Sequence, residues 1–171
     1  GRIALVTGAA SGIGKGIASA LADEGVAVAL VSRSRDALER AASEIGAKGG
    51  RAIVAAADLA EWATVERAVN SAREQLGPID ILLNNSGGPP PSGVAAVTPD
   101  QWETQFRTMV LSLFRVTAMV LPEMRARKFG RILNVTSHVA VEPIPSLGIS
   151  NTLRNAIHGW AKTLAIEVGR D

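Results

Sequence analysis

Apolar positions along this chain fall into two patterns that alternate from one end to the other. Short runs, "RIALVT" (2–7), "VAVALV" (26–31), "RAIVAAA" (51–57), "DILLNN" (80–85) and "GRILNVTS" (130–137), are apolar almost throughout. A strand with one wet face would alternate, so these runs predict strands buried on both faces, as in a parallel sheet. Between them, polar and apolar residues mix at helical spacing and predict helices over about 13–24, 35–47, 62–76, 99–127 and 150–168. The fourth helix opens on "TPDQ", with a Thr cap, Pro at the first helical position and Gln three residues after the cap. Strands and helices in this order predict an α/β fold: a doubly wound parallel sheet of five strands, helices on both faces and right-handed crossovers.

Bulk composition changes this picture little. At 171 residues the chain can form one domain with a real core. Eighteen basic against sixteen acidic residues leave a net charge of +2, and no basic run points to nucleic acid. Without cysteine there is no disulfide frame and no thiolate metal site, and two histidines make no metal-ligand cluster. No run reaches the roughly 18 apolar residues of a membrane span, and the chain opens directly on a strand. The expected location is the cytoplasm.

Candidate chemistry begins at the first turn. "VTGAASGIGKGIASALA" follows the first strand and opens the first helix, with Gly8, Gly12 and Gly14 spaced GxxxGxG. Glycines there permit a tight turn and a close ligand approach, while the helix amides and dipole favour an anion such as a pyrophosphate. The bland alternative is a strand–helix turn that binds nothing; its place after a first strand in an alternating chain favours binding. The Gly-Lys-Ser/Thr ending of a P-loop is missing, which argues against an NTPase. After the second strand, where an acidic residue would grip the ribose diol of NAD, stand Ser32 and Arg33. A guanidinium suits a 2′-phosphate and no carboxylate opposes it, so NADP is expected over NAD. Arg33 and Arg35 read otherwise as solvated loop residues. Asp58 follows the third strand and can receive an adenine amino group or simply hold a turn. "GGPPPSG" (87–93) is a stiff loop at the carboxyl end of the fourth strand, the edge where such sheets bind ligands.

With "TGAASGIG" (7–14), "DL" (58–59), "NNSG" (84–87), "GRILNVTS" (130–137) and "AKTLAIEV" (161–168) in this order, the sequence resembles the short-chain dehydrogenase/reductase family over essentially its whole length. The resemblance implies a Rossmann-type fold, residues 1–171 forming one NAD(P)-binding domain, and hydride exchange between NAD(P) and a small carbonyl or hydroxy compound, in the manner of a 3-oxoacyl reductase. It places cofactor contacts on Gly8, Ser11, Gly12, Ile13, Gly14, Ser32, Arg33, Asp58, Leu59, Asn85, Ser86 and Gly87. It places a catalytic serine on Ser137. It further implies a homodimer or homotetramer built through the helices at about 99–127 and 150–168.

The remaining catalytic positions depart from the family. Its tyrosine falls on Ser150, its lysine on Arg154 and its long-helix asparagine on Met109, and the chain contains no tyrosine at all. A serine alcohol is far less acidic than a phenol, and arginine stays protonated and cannot pass protons as lysine can. Arg154 can still donate to ribose hydroxyls. His138, beside Ser137, and His158, one turn beyond Arg154, are more economically structural histidines. Met109 reads as a packing residue in the stripe Trp102, Phe106, Met109, Val110, Leu113 and Val120. Family members usually run further, through more strands and a substrate-covering segment, so a truncated chain with its fifth strand on a sheet edge is expected. Two functions remain: an oxidoreductase with a degenerate site, in which Ser137, Ser150 and Arg154 act, or a non-catalytic dinucleotide-binding or oligomer-forming protein. A fragment that binds nothing alone is the third reading.

Overall fold

The five aliphatic runs do form five parallel strands in one sheet, ordered β3-β2-β1-β4-β5. The computed structural model describes all residues, Gly1–Asp171. The strands are β1 (Ile3–Thr7), β2 (Ala27–Ser32), β3 (Ala52–Ala56), β4 (Ile81–Asn84) and β5 (Arg131–Asn134). Adjacent side chains point to opposite faces, and both faces are covered. Leu5, Ala29, Val31 and Leu82 enter one core with Val65, Val69, Val116 and Val120. Ala4, Val6, Val28, Leu30 and Leu83 enter the other with Ala18, Leu38, Ala41 and Ile45. This is why the runs lack polar interruptions. Residues such as Leu5, Leu30 and Leu82 are fully buried, each burial contributing roughly 1.5–3 kcal/mol.

Helices α1 (Gly12–Asp23) and α2 (Arg35–Ala47) cover one face, α3 (Trp62–Leu76) and α5 (Ser112–Ala126) the other. No helix is long and apolar enough to cross a membrane. The sheet grows outward from β1 to β3 and then crosses back so that β4 pairs with β1. The direction of winding reverses between β1 and β4, and the connections diverge at their carboxyl ends. A crevice opens at such a point.

Two predicted elements differ in detail. The helix expected over 99–127 is α4 (Pro99–Phe106), a π-helical turn (Arg107–Leu111) and α5. Thr108 donates to the Thr104 carbonyl at 3.0 Å and Ser112 to the Thr108 carbonyl at 2.5 Å. Hydroxyls that bond carbonyls one turn back compete with the backbone ladder, and here they flank its local widening. Its start is as expected: Thr98 and Gln101 form a reciprocal capping box with Pro99 at the first position. The fifth strand ends at Asn134, so Val135–Ser137 lie beyond it. Ser137 caps the 3-10 turn His138–Ala140, its Oγ accepting weakly from the Val139 N–H at 3.5 Å. The last helix, α6 (Gly148–Val168), starts two residues earlier than its periodicity indicated. Its Ile149, Leu153 and Ile157 pack on Met109, Val110 and Leu113 in a third core cluster. β5 is an edge strand with Leu133 partly exposed. A recess of about 510 Å³ runs alongside it, lined by Phe129, Ile132, Leu164 and Val168 among others.

Candidate functional site

The three glycines of the β1–α1 turn are required for three different reasons. Gly8 and Gly12 have positive φ, +62° and +54°. A Cβ on Gly8 would stand 2.6 Å from Asn85 Nδ2, and one on Gly14 would stand 2.2 Å from the Gly8 carbonyl oxygen. Around Gly12 there is nothing within 4 Å, so this glycine serves backbone conformation and leaves free space above it. Ser11 is the N-cap residue of α1, but its side chain makes no capping hydrogen bond and the first turn holds no acidic residue. The first-turn amides of a helix have no intrahelical acceptor. Here no side chain takes that role, and the exposed Ile13 flanks the opening.

At the end of β2, Ser32 is half-buried and Arg33 exposed. Ser34 caps α2, accepting from Ala37 N–H. Arg35 sits 3.9 Å from Glu39, while Arg33 has no carboxylate partner among the ion pairs. After β3, Asp58 accepts the Ala60 N–H at 2.9 Å, and its own N–H donates to Thr64 Oγ1 at 3.0 Å. The aspartate therefore holds a turn, leaving its second carboxylate oxygen uncommitted. Leu59 packs against the core below.

The carboxyl ends of β4 and β5 carry the rest. Asn85 donates its N–H to Thr7 Oγ1 at 2.7 Å and its side-chain amide to the Gly8 carbonyl at 3.4 Å, bridging the two lips of the crevice. The Ser86 hydroxyl is buried without a hydrogen-bond partner. Gly87 has φ +76°, and its carbonyl accepts from Arg154 Nη2 at 2.7 Å. Arg154 Nη1 donates to the Val135 carbonyl at 2.8 Å. Arg154 is only 7% exposed, and burial pulls its guanidinium below the ordinary arginine value. It remains a cation, since no protein environment readily deprotonates arginine. Ser150, one turn earlier on the same helix face, is also buried.

His158 follows on that face and pairs with Thr136 Oγ1 at 2.8 Å, which makes it a satisfied structural residue. His138 is exposed at the start of the 3-10 turn, and Glu142 is exposed in the loop after it. Met109 is buried in the third core cluster and packs as its stripe indicated.

Several residues escaped sequence reading. Thr7 Oγ1 reaches both the Leu83 and Asn85 carbonyls, at 3.2 and 3.0 Å, and sews β1 to β4. Asn84, fully buried, donates to Asn134 Oδ1 at 2.9 Å and Thr117 Oγ1 at 3.2 Å, tying β4 to β5 and α5. The one available signal was polarity itself: Thr7, Asn84 and Asn134 each end an otherwise apolar run. The proline-rich loop is pinned to the start of α6, with Ser92 N–H donating to the Ser146 carbonyl and Gly148 N–H to the Ser92 carbonyl, each at 2.8 Å. Nothing in the residue pattern of the loop announced that contact.

Comparison with known proteins agrees with this geometry. The chain is 36% identical to the oxidoreductase UcpA of Salmonella typhimurium over 170 residues, covering 98% of this chain and 64% of that protein. It is 36% identical to the oxidoreductase YvrD of Bacillus subtilis over 164 residues, 96% of this chain and 62% of that one. Among solved structures, L-sorbose reductase from Gluconobacter frateurii complexed with NADPH and L-sorbose superposes with a TM-score of 0.93 at 36% identity, covering 98% of this chain and 64% of that one. The chain thus spans a little under two thirds of the length of these relatives. The model of the short chain dehydrogenase family matches residues 2–171, and with the relatives and the five-stranded Rossmann-type sheet this places the chain in that family.

Proposed function

We propose that the chain binds NADP(H) across the β1–β4 crevice and, as part of an oxidoreductase, serves hydride exchange with a small carbonyl or hydroxy compound of the 3-oxoacyl kind. The single observation that carries this is the uncapped mouth of α1 beside the open space over Gly12. Residues on both sides fit a dinucleotide. The α1 amides with Ser11, Gly12, Ile13 and Gly14 would hold the diphosphate, and Ser32 with the unpaired Arg33 would take a 2′-phosphate. Asp58 and Leu59 would line the adenine. Asn85, Ser86 and Gly87 would face the other half, where the partnerless Ser86 hydroxyl awaits an acceptor or donor. The L-sorbose reductase, 36% identical, was crystallised with NADPH, which supports the same cofactor here.

The nicotinamide, when bound, gives or takes the hydride. The hydroxyls of Ser137 and Ser150 would orient the substrate oxygen, and the buried charge of Arg154 would favour negative charge developing on it. These 171 residues hold no tyrosine to supply the proton, which would come from water, from His138 or from a part of the protein outside this chain. Exposed apolar residues on the outer helices, Phe106 at the end of α4 and Ile166 on α6, support assembly into a homodimer or homotetramer through these helices. Residues 1–171 act in this reading as a single dinucleotide-binding domain.

A second reading, a dinucleotide binder without turnover, is favoured by one observation: Ser150 and Arg154 keep the polarity of the proton-transfer positions but not an acid. NADPH fluorescence titration tests binding, and turnover against a carbonyl panel separates the two readings. Replacing Arg33 by Asp should weaken NADPH by about tenfold or more, as loss of charge-assisted bonds and gain of repulsion require, and should strengthen NADH, whose ribose diol a carboxylate can grip. Equal affinity of wild type and variant for NADPH would remove the NADP assignment.

A further inference from the structure

The guanidinium of Arg154 joins two segments that lie far apart in the chain. Gly87 lies three residues beyond the end of β4, 67 positions before Arg154 in the chain, and Val135 directly follows β5. Both terminal nitrogens of one side chain donate to their carbonyls, at 2.7 and 2.8 Å. Sequence position alone gave Arg154 to the nicotinamide ribose. In the structure both ends of its fork are engaged by the protein, and Nε is buried with no partner.

The surroundings make this arrangement more than incidental. A buried cation without a carboxylate is costly, and charge-assisted bonds to two carbonyls offset that cost only while both stay in place. The same helix holds the same loops at further points. The Gly148 N–H donates to the Ser92 carbonyl, five residues after Gly87, and His158 pairs with Thr136, next to Val135. Arg154 lies between Gly148 and His158 along α6 and touches both loops with one side chain.

We propose that Arg154 is a positioning residue: its planar fork fixes the spacing of the loops after β4 and β5, and so preforms the half of the crevice distal to Arg33. The proposal rests on the dinucleotide reading for what that half receives. With Arg33 and the 2′-phosphate at the β2 end, the nicotinamide half extends toward β4 and β5. A lysine cannot substitute, because a single ammonium does not present two fixed, coplanar donors to two separate carbonyls.

The test compares the wild-type protein with Arg154→Met and Arg154→Lys in two measurements. The first is hydrogen exchange without ligand. The amides of Val135, which donates to Asn84, and Asn85, which donates to Thr7, should exchange faster in both variants. The second is titration with NADPH and with adenosine 2′,5′-bisphosphate, which occupies only the adenine half. NADPH should bind about tenfold more weakly to Arg154→Met, while the bisphosphate binds as before. Weakened NADPH with unchanged exchange would make Arg154 a direct ribose ligand and overturn the clamp. Equal weakening of both ligands would mean general damage and overturn it too. Where Arg154→Met fails to fold, Arg154→Lys decides by the same criteria. Should wild type bind neither ligand, the dinucleotide reading fails by itself, and the exchange rates alone then uphold or overturn the clamp.

Discussion

Asn85 and Gly8 form a contact in which neither partner can change alone: the Asn85 side-chain nitrogen donates to the Gly8 carbonyl, and a Cβ on Gly8 would lie 2.6 Å from that nitrogen. The β1–α1 turn and the end of β4 are therefore one unit, 77 positions apart in the chain. The crevice between them has a width set by this side-chain-to-carbonyl contact.

That contact separates the glycines experimentally. Gly14→Ala drives a methyl into the Gly8 carbonyl and should lower stability by about 1–3 kcal/mol through forced backbone shifts. Gly12→Ala meets no atom, yet its left-handed φ should cost about 1–2 kcal/mol. Gly16→Ala, within α1 and with open space around it, should instead stabilise by roughly 0.5–1 kcal/mol. Urea unfolding midpoints of the three variants give the order directly. Equal effects at Gly14 and Gly16 would contradict the packing described.

The buried Asn84 network supports the floor of the crevice. Asn84→Ala strands Asn134 Oδ1 and Thr117 Oγ1 and should destabilise by about 2 kcal/mol, against about 1 kcal/mol for Thr117→Val, which removes a single bond. Because the two share a bond, the double variant should be less unstable than the sum, and a double-mutant cycle measures the difference.

The buried charge of Arg154 also sets an expectation for stability against pH. Burial lowers the Arg154 pKa in the folded protein. A base whose folded pKa lies below its unfolded one binds more protons when unfolded, so stability rises with pH, but only in the window between those two values. That window lies below the ordinary arginine value, on the side to which burial moves the group. Between roughly pH 6 and 9, Arg154 is protonated in both states and contributes no slope. Arg154→Met should accordingly shift the stability curve over this range without changing its shape, as thermal unfolding across pH will show.

Much of this architecture could be read without coordinates. Uninterrupted aliphatic runs required strands covered on both faces, and alternation with amphipathic segments left little but a doubly wound sheet. Glycine spacing located the crevice, since backbone approach and positive φ are properties that the residue type itself confers. The π turn could not be read, because whether Thr108 and Ser112 bond back to the helix or outward depends on what packs against it. The run "ILNVTS" keeps β-forming residues beyond the last paired one and so predicts a strand through Ser137; pairing stops at Asn134, where β4 ends opposite it.

The chain by itself determined the family resemblance, the position of the glycine turn between β1 and α1, and the want of tyrosine among these residues, because these are matters of residue type and short spacing. Only the tertiary structure decided what Arg154 does. Its partners are carbonyls, which every residue carries and which no sequence pattern distinguishes, and they come together only when β4, β5 and α6 pack.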